Sequence, residues 1–280
     1  KGFELSISSV NIEKEDFVWS TSLSLSQNKS ELISLGDGQD YITLDDVVAA
    51  GNGSPIRLTP GYPIPSFWGA NNLGTYKTRS EIDADGRFGT SFLGGPRLED
   101  QNGDGTWNSL DYVYQGSPEP DLFGGIRNVF SYKKWTLDTF AHFSIGNTMF
   151  NGSVAESYYA RGAYLNLLPE LKDRWTEENY MSDIPRAGTA FGTYVTNNET
   201  SFQDGSFFRL KNVTLTYDLD NPPFVRDASI YLSAQNLLLI SDYKWGDPEV
   251  SQYGNQLNRG VSDSTYPYST SVSLGLNIKF

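Results

Sequence analysis

The residues best placed to do chemistry lie between Asp100 and Asp111, in the run DQNGDGTWNSLD. Asp100, Asn102, Asp104, Thr106, Asn108 and Asp111 stand at the first, third, fifth, seventh, ninth and twelfth places of a calcium-loop template, with Gly105 at the sixth for the sharp turn. Such spacing wraps oxygen ligands round one hard cation. Asp111 stands where the template has a bidentate Glu, and its shorter arm weakens the site or admits Mg2+ instead of Ca2+. Asp, Asn and Gly also build tight turns without metal, so an Asx-rich turn is the competing reading. With metal or without it, the loop is structural and has no catalytic part.

A second set of candidates is aromatic. Trp68, Tyr158, Tyr159, Trp175 and Trp245 lie in polar stretches with Asp and Asn nearby, a pairing that suits sugars, whose rings stack on an apolar face and whose hydroxyls need hydrogen bonds. The competing reading is that these rings pack loop against loop, and Trp175 and Trp245 fit that reading better than the others. Catalysis finds no support. The chain has no Cys and a single His, His142, and no glycine-rich phosphate loop follows a strand and opens a helix.

Composition limits the partners. The 280 residues carry a net charge of −13, a sign that both nucleic acid and anionic membrane surfaces repel. No apolar run approaches the roughly 18 residues of a membrane-spanning helix. A membrane is therefore either not entered or entered by strands.

Strands are what the sequence offers. In SVSLGLNIKF at the C-terminus, Val272, Leu274, Leu276, Ile278 and Phe280 alternate with Ser271, Ser273, Gly275, Asn277 and Lys279, which puts oil on one face and polar groups on the other. The same period recurs from Phe3 to Ile12, Phe17 to Leu25, Leu122 to Tyr132, Trp135 to Ile145, Val213 to Tyr217 and Ile230 to Ile240, seven strands in all. In the first, the phase slips and predicts a bulge near Ser8 and Ser9, with Val10 and Ile12 taking over the oily face.

The connections alternate between short and long. Short turns follow the first, third and fifth strands, and long loops run from Asn28 to Asp121, from Gly146 to Gly205 and from Ser241 to Thr270. Outer-membrane barrels put short turns at one end and long loops at the other, whereas a secreted β-sandwich has no reason to. The oily residues nearest the short turns are Phe17, Trp19, Phe130, Tyr132, Trp135, Tyr217 and Phe280, a girdle of the kind found at a membrane interface. Arg127, Asp138 and His142 fall on the polar faces. The fold expected is an all-β transmembrane antiparallel barrel, of which seven strands cannot be the whole, since bacterial single-chain barrels have an even number.

The motifs KGFELSI at Lys1, FVWSTSLSLSQNKSEL at Phe17, GYPIPSFWG at Gly61, DQNGDG at Asp100, GSPEPDLFGGIRNVFSYKKWTLDTF at Gly116, RWTEENYMSDIPR at Arg174, DGSFFRLKNVTLTYDL at Asp204 and YLSAQNLLLISDYKWGDPEV at Tyr231, in this order, resemble the C-terminal part of SusC-like TonB-dependent transporters. The resemblance covers residues 1–280 as one barrel portion, about the last seven of roughly 22 strands, with the plug and TonB box lying outside it. It implies an outer-membrane nutrient importer, not an enzyme. The implied partners are a SusD-like surface lipoprotein, TonB–ExbB–ExbD acting through the plug region, the lipid bilayer, and a second copy of the transporter–lipoprotein pair. An oligosaccharide is the substrate favoured, with a peptide as the alternative. By resemblance to outer-membrane barrels generally, the terminal Phe280 reads as a barrel-assembly signal. The stretch from Phe67 to Asp83 is longer than the family's usual tyrosine-rich run, which bears on loop shape. Two other readings stand beside it: a secreted calcium-dependent carbohydrate-binding β-sandwich, and a siderophore receptor of the same barrel class.

Overall fold

A computed structural model describes residues 1–36, 38–44, 54–86, 91–154, 167–187, 200–220, 224–244, 246–251, 256–262 and 265–280. Seven long strands dominate it: β1 (Gly2–Lys14), β2 (Phe17–Asn28), β3 (Leu122–Tyr132), β4 (Trp135–Ile145), β5 (Phe207–Asp218), β6 (Asp227–Ser241) and β7 (Ser271–Lys279). They form one antiparallel sheet in sequence order, each strand beside the next. The shortest, β7, has 9 residues and the longest, β6, has 15, so every strand meets the roughly 9–11 residues needed to cross a bilayer.

The register lines up the predicted faces. Phe17, Tyr132, Trp135, Tyr217, Ile230 and Leu276 form one continuous row across six strands. Behind it run Ile12, Trp19, Phe130, Leu137, Leu215, Leu232 and Leu274. Cross-strand neighbours share a face, so this one is oily from edge to edge. The girdle residues pack on each other: Trp19 stacks on Phe130 at 5.6 Å and Trp135 meets Tyr217 at 4.6 Å.

Two details differ from the sequence reading. The bulge in β1 falls at Asn11, not at Ser8 and Ser9, because Val10 still pairs with Ser20 on the polar face and Ile12 pairs with Trp19. The reason is a side-chain network that anchors Asn11. Ser9 Oγ donates to Asn11 Oδ1 at 2.7 Å, Asn11 Nδ2 donates to Thr21 Oγ1 at 2.6 Å, and Thr21 Oγ1 and Trp19 Nε1 both donate to Asn128 Oδ1, at 2.7 and 3.1 Å. This is the second difference: a polar seam crosses the oily face of β1, β2 and β3. Its members satisfy one another, which is the condition for polar groups to sit where water is excluded.

The long loops, 29–121, 146–206 and 242–270, are not independent. Each contributes to one apolar core of Ile56 and Phe67 from the first, Phe150 and Phe202 from the second, and Val261 from the third, with Leu44 packed against it. Phe202 lies 5.7 Å from Phe67 and 5.2 Å from Phe150. Main-chain pairing joins the second and third loops as well, since Phe202–Asp204 and Val261–Ser262 flank Thr148–Asn151 in a three-stranded sheet. The first loop holds its own four-stranded sheet and a short helix, α1 (Arg79–Asp85), capped by Thr78 and Glu81 in a reciprocal box. Among the described residues, no helix is long and apolar enough to cross a membrane.

Candidate functional site

The polar face carries the charge. On β3 and β4, Arg127 and Asp138 form a two-pronged pair, Nε to Oδ1 at 3.0 Å and Nη2 to Oδ2 at 2.5 Å. Nearer the long loops, β4 and β5 present His142 and Arg209 as direct partners across the ladder. Arg209 is only 2% exposed. A buried guanidinium needs counter-charge, and the third loop supplies it. Arg209 Nη2 donates to Asp247 Oδ1 at 2.5 Å, and its Nε pairs with Glu249 Oε2. His142 Nε2 and Lys211 Nζ lie 2.9 and 3.6 Å from Glu249 Oε1.

Tyr268 completes the cluster. Its ring lies under the charges of Arg209 at 5.4 Å and Lys211 at 4.3 Å, and its N–H donates to Asp247 Oδ2 at 3.1 Å. Burial pushes the Glu249 carboxyl up, but the hydrogen bond from His142 and the charges of His142, Lys211 and Arg209 outweigh it and hold the group below its ordinary value. The third loop is thus clasped to the sheet. His142 shows in the sequence as a polar-face residue; Arg209 carried no local signal, because its partners Asp247 and Glu249 lie 38 and 40 residues further along the chain, counting from 209 to 247 and 249.

Beside this clasp is a groove of about 580 Å³, in the size range of ligand sites. Its floor is the polar face of β2 to β5, where Phe123, Phe140, His142 and Phe207 give aromatic surface and Ser24, Ser26 and Ser144 give hydroxyls. His142 stacks on Phe140 at 6.0 Å and meets Phe207 edge-on at 5.3 Å. Gly125 makes room, since a Cβ there would come within 2.9 Å of the Phe140 ring. The roof comes from two loops, with Arg259 Nη2 at 3.2 Å from Glu119 Oε1. The sequence reading looked for rings in the loops and passed over these, which look like ordinary strand residues until the register places them together.

The loop aromatics sit as follows. Trp68 packs on Tyr62 at 4.8 Å and Tyr114 at 6.1 Å, donates Nε1–H to Ser66 Oγ at 3.0 Å, and borders the buried Arg57. Trp175 is 8% exposed. It lies against Gly94, with the Arg186 guanidinium 5.9 Å over its ring, a loop-building position that leaves little surface for a ligand. Tyr158, Tyr159 and Trp245 lie outside the described residues.

The Asp100–Asp111 loop is held by its own backbone. Asp100 accepts from the N–H of Gly103 and Gly105 at 2.7 and 2.8 Å, Asp104 from Thr106 at 2.7 Å, and the fully buried Asp111 from Gln101 and Asn108 at 3.0 and 2.7 Å. Asn102 Nδ2 donates to Asp104 Oδ2 at 3.0 Å, and Asn108 Oδ1 accepts from Leu110 N–H at 2.8 Å. The donor set suits a hard cation in kind. Among the described residues, however, no three of His, Cys, Asp and Glu are grouped to hold one.

Comparison with known proteins places this architecture. The chain is 38% identical, over its whole length, to TonB-dependent receptor P26 of Formosa agariphila, and 27% identical to TonB-dependent receptor SusC of Bacteroides thetaiotaomicron. It spans 29% and 26% of those relatives, less than a third of their length. No family model matches the chain. The solved structure of the RagAB peptide transporter superposes over the whole chain, and 29% of its own, with a TM-score of 0.76 at 25% identity. In sequence along its whole length the chain is similar to a portion of TonB-dependent receptors, SusC among them, and its seven-stranded antiparallel sheet superposes on a portion of the RagAB transporter.

Proposed function

We propose that these residues form the C-terminal part of the barrel wall and three outer loops of an outer-membrane importer that takes up oligosaccharides by TonB-dependent transport. One observation carries the reading. Seven strands of bilayer-crossing length share an oily face that no described residue covers, with Leu274 77% and Ile240 60% exposed, while the opposite face pairs its charges internally. In water such a face would be an aggregation hazard; in a barrel it meets lipid. A secreted β-sandwich would need a second sheet packed on that oily face, and none of the described residues supplies one. The rest of the length of the relatives would supply the remaining strands, the plug and the TonB contact.

In this reading an oligomer is captured between the loop cap and a SusD-like lipoprotein, and TonB pulling on the plug opens the path along the polar face. The transporter–lipoprotein pair would itself be dimeric. The Asp100–Asp111 loop would hold Ca2+ or Mg2+ through Asp100, Asn102, Asp104, Thr106, Asn108 and Asp111, stiffening the cap. Trp68, Tyr158, Tyr159, Trp175 and Trp245 are the loop rings proposed to face the substrate or support those that do, with Trp175 in the supporting role. A peptide substrate is the second reading, favoured by the likeness to a structure described as a peptide transporter. Extraction of native membranes with and without detergent tests the localisation: recovery only in detergent is expected, and recovery in the aqueous fraction would overturn the importer.

A further inference from the structure

We infer that the groove between β2, β3, β4 and β5 is a subsite for one neutral sugar ring, a conclusion that rests on the importer reading and gives it a location. The floor offers rings where the apolar face of a pyranose would stack, Phe140 and Phe207 on either side of His142. The floor also offers hydroxyl oxygens, from Ser26 and from Ser24 and Ser144, which donate to the Gly125 carbonyl at 3.5 Å and to Asn147 Oδ1 at 2.8 Å and so remain as acceptors for sugar hydroxyls. The volume of about 580 Å³ takes a ring and part of its neighbours, not a folded segment of protein.

Charge decides between a sugar and a peptide. The groove's ionic groups are already paired, Glu119 with Arg259 and His142 with Glu249. Glu119 is further occupied by Ser30, whose N–H donates to it at 3.3 Å and whose hydroxyl also bonds it. A charged side chain or terminus of a peptide, or the carboxylate of an acidic glycan, would enter without a partner and lose its hydration, which costs far more than a neutral hydroxyl does. Neutral rings meet no such penalty. The groove also lies beneath the fused loops and on the polar face, so a ring bound there would sit on the inner side of the cap.

The test uses the full-length transporter purified in detergent, with calorimetric titration of neutral linear gluco-, manno- and galacto-oligosaccharides and, separately, of mixed oligopeptides. The variants are Phe140→Ala, Phe140→Leu, which keeps most of the volume, and Leu137→Ala on the oily face as a control. An oligosaccharide that binds the parent, binds Phe140→Ala about tenfold more weakly, and binds Leu137→Ala unchanged supports the subsite. A partial loss in Phe140→Leu, with normal heat-modifiability on gels, separates lost stacking from misfolding. Equal sugar affinity in parent and Phe140→Ala overturns the subsite and leaves the importer reading standing. Peptide binding that falls in Phe140→Ala, without sugar binding, overturns the sugar assignment, and binding of neither class overturns both.

Discussion

Phe67 of the first outer loop and Phe202 of the second hold their rings 5.7 Å apart, inside a core to which the third loop adds Val261. Loops joined through one core cannot open separately. The three loops therefore behave as one unit, and any motion of this cap has to move it whole or take place at its borders with the sheet.

The first prediction follows from that core. Phe67 is fully buried, and Phe67→Ala should cost about 3–5 kcal/mol of cap stability while leaving the sheet intact. Limited proteolysis of the transporter in liposomes checks this: all three loops should become cleavable together. Cleavage confined to the first loop would show that the loops are independent.

Tyr231 and Gly275 give the second. They pair across β6 and β7, and a Cβ on Gly275 would lie 2.2 Å from the Tyr231 ring. Gly275→Ala should destabilise the pairing by about 1–3 kcal/mol, as overpacking does. In a Tyr231→Ala background the same change should cost much less, because the obstacle is gone. Urea unfolding in liposomes measures both; additive effects would remove the contact from the account.

The third concerns the clasp on Arg209. Glu249 has its carboxyl held below the ordinary value of 4.5, so the clasp is at full strength above that value and weakens as pH falls through the lower, folded-state value. Amide hydrogen exchange at Tyr268 and Val250 should therefore stay slow from neutral pH down to about 4.5 and rise below it, after correction for the intrinsic rate. Glu249→Gln should flatten this acid limb. Asp247→Ala, which leaves the buried guanidinium short of a partner, should open the loop at every pH, at about 3–5 kcal/mol.

The fourth concerns the acidic loop. Trp107 lies within it, so its fluorescence should report Ca2+ added to the chelator-treated transporter, with half-saturation at roughly 0.1–1 mM as in extracellular calcium modules. Asp104→Asn should weaken the response. A flat titration in the parent would leave the loop as the backbone-bonded turn its hydrogen bonds already describe.

The sheet was legible because period-two alternation is local: each strand from Phe17 onward announces both of its faces without knowledge of its neighbours. Bulges are less so. Asn11 is extra in β1 because Thr21 and, through it, Asn128 hold it, and these lie on other strands. Lys211 in β5 had a readable trace, since Phe208 and Leu210 are out of phase with Val213 and Leu215. The site was hardly legible at all. Phe123, Phe140 and Phe207 are scattered along the chain and meet only through register, and the loop core of Phe67, Phe150, Phe202 and Val261 has no period to betray it.

In the barrel-wall reading Leu137, Leu215, Leu232 and Leu274 face lipid while Thr214 and Ser233, hydrogen-bonded at 3.0 Å on the other side, face an aqueous interior. Because these 280 residues contain no Cys, single cysteines at Leu137, Leu274, Thr214 and Ser233 can be spin-labelled in the full-length protein in liposomes. Accessibility to oxygen, which concentrates in lipid, and to a water-soluble nickel chelate should alternate: oxygen high at Leu137 and Leu274, nickel high at Thr214 and Ser233. Labels at Leu137 and Leu274 that respond to nickel and not to oxygen would contradict the barrel wall and the importer built on it.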